Sequence, residues 1–123
     1  MGANHGRLRL VTVFAANIPA VAPAEVPADA YLLDVREPDE WAAGHAPGAH
    51  HLPMMEIPAR LSEIPTEGEV VVVCRSGGRS AQVVGYLMSN GWDNVRNLDG
   101  GMRGWAAAGH PLQSEDGRPA RVI

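Results

Sequence analysis

Hydrophobic residues fall along this chain in short runs, separated by polar stretches rich in glycine and proline. Five runs read as strands: Leu10 to Phe14, Tyr31 to Val35, His50 to Leu52, Val70 to Cys74 and Val95 to Leu98. Val70 to Val73 are four consecutive valines, apolar on both faces, as in a central strand of a parallel sheet. Helical signals lie between most of these runs. Pro38 suits a first helical position, Asp39 and Glu40 complement the N-terminal dipole, and Gly44 can end that helix. Pro58 suits the start of a helix carrying Leu61 and Ile64, closed by Pro65. Val83, Val84, Leu87 and Met88 form one face of a helix running from Arg79 to a stop at Gly91. A last helix is expected over Met102 to Ala108.

Strands alternating with helices predict an α/β fold, a parallel sheet with helices on both faces. A length of 123 residues fits one domain. Residues 1–26 read as a first strand and a Pro/Ala-rich loop of that domain, 27–112 as its core, and 113–123 as a polar, loosely ordered tail. The early stretch RLRLVTVFAANIPAVAPA has the outline of a secretory signal, but Asn17 and Pro19 interrupt it and LVTVF reads better as a strand.

Composition narrows the chemistry. A formal net charge of -4 offers no diffuse basic surface to nucleic acid. All ten basic residues are arginine, which excludes lysine Schiff-base chemistry and a phosphate loop that requires lysine. No apolar run approaches the ~18 residues of a membrane span. A single cysteine cannot form an internal disulfide, so a reducing, cytoplasmic setting is expected. No metal site or cofactor is expected. His50 and His51 are adjacent and on a strand would face opposite sides, and His45 precedes the turn Ala46-Pro47-Gly48.

The cysteine stands in VVVCRSGGRS, residues 71–80, at the carboxyl end of the valine strand, the edge where open α/β sheets bind ligands. Gly77 and Gly78 let the backbone curl so that successive N–H groups point inward, and the helix that follows adds its positive end. Arg75 and Arg79 add charge, and Ser76 and Ser80 add hydroxyl donors. Together they favour an accessible thiolate at Cys74 and an anionic substrate above it. Asp34 and Arg36, at the end of the second strand, are candidates for the rim of the site or for a hydrogen-bonded scaffold. Trp105 reads as a core anchor, and Gly100 and Gly101 as points of close backbone approach near the loop.

Three motifs, LLDVREPDEWAAGHAPGAHHLP (32–53), CRSGGRS (74–80) and LDGGMRGWAAAGHPL (98–112), resemble those of single-domain rhodaneses, and stand in the family's order. The resemblance implies a five-stranded, mostly parallel sheet and a persulfide formed on Cys74. Arg79, five positions after Cys74, matches the family's loop arginine, and Arg75 matches the basic residue found beside the cysteine in forms that use thiosulfate. The implied donor is a small sulfur-containing anion, and the implied acceptor is cyanide, a thiol or a protein, with the chain acting as a monomer. The competing readings are a sulfur relay or non-catalytic binding module, and a cysteine phosphatase or arsenate reductase. Phosphatases place the arginine one position further from the cysteine, where this chain has Ser80, and no second cysteine supports a reductase cycle.

Overall fold

The computed structural model describes residues 17–123. Its sheet has five strands, β1 (Ala20–Val21), β2 (Tyr31–Asp34), β3 (His50–His51), β4 (Val70–Val73) and β5 (Val95–Leu98). They lie in the order β1-β5-β4-β2-β3, and every neighbouring pair is parallel. Three α-helices, α1 (Pro38–Ala43), α2 (Gly78–Ser89) and α3 (Gly101–Ala107), connect or follow the strands.

The valine strand sits at the centre because it is apolar on both sides. Side chains alternate across a strand, so Val70, Val72 and Cys74 enter one core with Val83, Val84 and Leu87 of α2. Val71 and Val73 enter the opposite core with Met102 and Trp105 of α3. All four valines are at most 2% exposed, and burying each contributes about 1.5–3 kcal/mol before conformational entropy is set against it. The same alternation decides where the sulfur points. Cys74 belongs to the α2 side.

Several boundaries depart from the sequence expectations. The expected strand Leu10 to Phe14 lies outside the described residues, and the edge position beside β5 is held by Ala20–Val21, within the stretch expected to be loop. A 3-10 turn, Pro23–Glu25, follows it. The helix expected to start at Pro58 is instead two 3-10 segments, Met54–Ala59 and Leu61–Glu63, with Pro58 inside the first. Proline cannot donate an N–H to a longer helical ladder, and Ile57 and Ile64 still reach the core from these short turns.

The tail also differs from expectation. Gln113 forms an antiparallel bridge with His45, the Glu115 N–H donates to Ala42 O, and the Arg121 N–H donates to Ala43 O. Gly44 makes room for this: a β-carbon there would stand 2.2 Å from Arg121 O. The apparent polarity of 113–123 concealed backbone pairing with the end of α1.

Candidate active site

Cys74 follows β4 directly, and residues 75–77 turn the chain back into α2. Gly77, the residue before the helix, has φ +112, a conformation that favours glycine. Gly78 does not need to be glycine on these grounds, since it opens the helix and a β-carbon on it would meet nothing within 4 Å. Of the two glycines expected to let the loop curl, only Gly77 has an angle that calls for one. The twelve-residue α2 has no side-chain cap, so its first N–H groups are left for another acceptor.

That acceptor is the sulfur. The Gly77 N–H donates to Cys74 Sγ at 3.0 Å, and Ser80 Oγ lies 3.2 Å from the same atom. Burial pushes the thiol up, but the Ser80 hydroxyl and the N–H groups of Ser80, Gly77 and Ser76 outweigh it and leave Cys74 below its ordinary value. These short-range donors on Ser76, Gly77 and Ser80 carry the effect. The residue is 1% exposed, so the sulfur lies beneath the loop, where the sequence had suggested an accessible one.

The two loop arginines are not equivalent. Arg79 is held by Glu40 of α1 in a two-pronged ion pair, Nη1 to Oε1 at 2.7 Å and Nη2 to Oε2 at 2.9 Å. Glu40 is at the same time the third residue of α1, accepting the Glu37 N–H at 3.0 Å in a capping box. Its carboxyl is lowered to about 2, chiefly by the hydrogen bond from Arg79. Arg75 is exposed and has no ion-pair partner among the described residues.

Asp34 and Arg36 are brought together, but not as a rim. Arg36 is fully buried, with Nε donating to Asp34 Oδ1 at 2.9 Å and Nη2 to Asp34 Oδ2 at 2.8 Å. Nη2 also donates to Gly44 O at 2.8 Å. The two charges face each other and tie the end of β2 to the end of α1, with Arg36 Nη1 left buried and without a partner among the described residues, so the rim assignment gives way to a scaffold. The histidines are likewise structural. His45 is stacked on Trp41 with Nδ1 2.9 Å from Trp41 O, His51 places Nε2 2.8 Å from Arg36 O, and His50 stacks on Tyr31. Trp105 anchors the α3 core and donates Nε1–H to Pro111 O.

Other residues reach the loop from a distance in sequence. At the start of α3, the Met102 N–H donates to Cys74 O at 2.8 Å and the Arg103 N–H donates to Arg75 O at 3.0 Å. Gly101 (φ +59) permits the approach. The pair Gly100-Gly101 was the signal for this contact. Asn97 on β5 contacts both Gly77 and Ser80, and nothing in its local sequence announced it.

Comparison with known proteins agrees with this geometry. The rhodanese-like domain family matches residues 20–108. A sulfurtransferase of Allochromatium vinosum is 48% identical over 89 residues, covering 72% of this chain and 83% of that protein. A rhodanese-related protein from Thermoplasma volcanium superposes with a TM-score of 0.72 at 26% identity, covering 77% of this chain and 97% of that one. A thiosulfate sulfurtransferase from Pseudomonas aeruginosa gives a TM-score of 0.74 at 28% identity, over 93% of this chain and 23% of its own length. The parallel sheet, the cysteine beneath an uncapped helix start and these likenesses lead to one assignment: the chain belongs to the rhodanese-like domain family and is a rhodanese-like sulfurtransferase.

Proposed function

We propose that the chain moves a sulfane sulfur from thiosulfate to a thiophilic acceptor through a persulfide on Cys74. The observation that carries this reading is the Cys74 sulfur held under the Gly77 N–H and the Ser80 hydroxyl at the start of α2. The thiolate attacks the outer sulfur of thiosulfate. A new S–S bond forms at Sγ as the S–S bond of thiosulfate breaks, and sulfite leaves with the electron pair. In the second step cyanide or an acceptor thiolate attacks the outer sulfur and takes it, and Cys74 returns as thiolate.

The loop suits sulfur better than phosphorus. Arg79 is the loop arginine, and its guanidinium is already engaged by Glu40, so it braces the turn more than it cradles an oxyanion. Arg75 remains to meet the negative charge of the donor. The likeness to the thiosulfate sulfurtransferase supports thiosulfate as that donor.

Intact mass measured after exposure to thiosulfate tests the proposal. A gain of one sulfur atom, lost again on addition of cyanide and absent in Cys74→Ser, is the expected result. No gain from thiosulfate, with gain from a persulfidated donor protein, would replace this reading with a sulfur relay. Release of phosphate from an aryl phosphate would replace it with a phosphatase.

A further inference from the structure

The Asn97 side chain reaches the loop from β5, the strand next to β4. Its Nδ2 donates to Gly77 O at 3.1 Å. That bond fixes the orientation of the amide, so Oδ1 faces Ser80 and can only accept. Ser80 Oγ lies 2.5 Å from Asn97 Oδ1 and 3.2 Å from Cys74 Sγ. A hydroxyl carries one proton and serves one of these acceptors at a time. With Cys74 as a thiol, the proton rests on Asn97 and the S–H can donate to Oγ. With Cys74 as a thiolate, the proton turns to the sulfur. The Asn97 Nδ2–Gly77 O bond does not depend on that proton and persists in both states.

We propose that Asn97 is a positioning residue that keeps the Ser80 hydroxyl within reach of the Cys74 sulfur. A serine in the first turn of a helix has a competing option, a bond back to a carbonyl three or four residues earlier. Gly77 O is three residues before Ser80 and already accepts the Ala81 N–H at 3.1 Å. Asn97 Nδ2 occupies its remaining lone pair, while Asn97 Oδ1 accepts from the Ser80 hydroxyl. Loss of Asn97 therefore frees Gly77 O to draw the Ser80 hydroxyl away from the thiolate, an effect that opposes and is expected to exceed the loss of Oδ1 as a rival acceptor for the same proton. The direction of the thiol shift at Cys74, to which Ser80 is the largest favourable contributor, agrees with this arrangement.

The inference rests on Cys74 as the nucleophile, yet its test reads the thiol alone and is independent of which donor is used. Charged groups near the loop are Arg75, Arg79 with its partner Glu40 on α1, Arg103 on α3, and the Asp34–Arg36 pair at the end of β2. None is altered by the variants. Cys74 is titrated in the full chain by the pH dependence of iodoacetamide alkylation and by thiolate ultraviolet absorbance, with Tm measured alongside. Asn97→Ala, the bulkier Asn97→Leu, Ser80→Ala and the double variant Ser80→Ala/Asn97→Ala are compared. The expected result for Asn97→Ala is a raised midpoint and alkylation about threefold to tenfold slower at neutral pH, the scale of one ordinary hydrogen bond. Asn97→Leu gives the same direction, so a folding defect in one variant leaves the other to decide. In the Ser80→Ala background the added effect of Asn97→Ala falls below half. Unmoved or lowered midpoints in both Asn97 variants would overturn the proposal, whatever happens to Tm. So would an equal shift with and without Ser80.

Discussion

Gly101 lies so close to Arg75 that a β-carbon on it would stand 2.6 Å from the Arg75 carbonyl carbon and oxygen. The Cys74 loop is thus clamped from behind by α3, through backbone that tolerates no side chain. Gly101→Ala adds this clash to an unfavourable φ of +59, and should lower stability by about 2–4 kcal/mol. Urea unfolding checks it. A change within about 0.5 kcal/mol, the range of ordinary surface substitutions, would show that the two segments separate freely.

Acid should weaken the fold through Glu40. Its folded value, about 2, lies below the ordinary 4.5, so the ion pair with Arg79 contributes fully above about 4.5. The contribution is lost as pH falls from there toward about 2. Glu40→Gln should cost about 1 kcal/mol at neutral pH, the upper range for a partly exposed pair, and flatten the acid limb. Urea midpoints taken across that pH range give the comparison. Parallel curves for the two proteins would show that Glu40 is not the group being titrated.

The two loop arginines should separate kinetically. Arg75 has no ion-pair partner among the described residues, whereas Arg79 is paired with Glu40. Arg75→Ala should slow persulfide formation from thiosulfate by about 10²-fold, the scale for losing one charge-stabilising donor, with little change in Tm. Arg79→Ala should lower Tm as well, because it strands the Glu40 carboxylate. Discharge of preloaded persulfide to a neutral thiol should suffer less than loading in Arg75→Ala. Single-turnover loading and discharge measure both steps, and equal defects in the two would remove Arg75 from donor binding.

Deletion of residues 113–123 should destabilise the α1 end of the fold. It removes the backbone bonds to Ala42, Ala43 and His45 and exposes the Gly44 backbone beside buried Arg36. A fall in Tm of about 5–10 °C is expected, corresponding to one or two kcal/mol in a domain of this size. Calorimetry decides it, and an unchanged Tm would mean that the tail adds nothing to the fold.

The central strand and the place of Cys74 at its end were readable from residues 70–80 because the information there is local. Four valines need burial on both faces, a period of two assigns Cys74 to one side, and Gly77 is required by its own backbone angle. The α/β class followed from the alternation of such segments. Short elements at the margins were not readable. Ala20–Val21 is a strand only because β5 offers it an edge, and the segment around Pro58 stays in 3-10 turns, from which Ile57 and Ile64 enter the α2 core. The tail looked polar and loose until its backbone found the end of α1. The same limit applies to the site. Nothing near Glu40 in sequence points to Arg79, 39 residues away, and nothing near Asn97 points to Ser80, 17 residues away. Hydrogen-bond partners across the sheet are chosen by strand order and register, and those come into being only when the two cores close around β4.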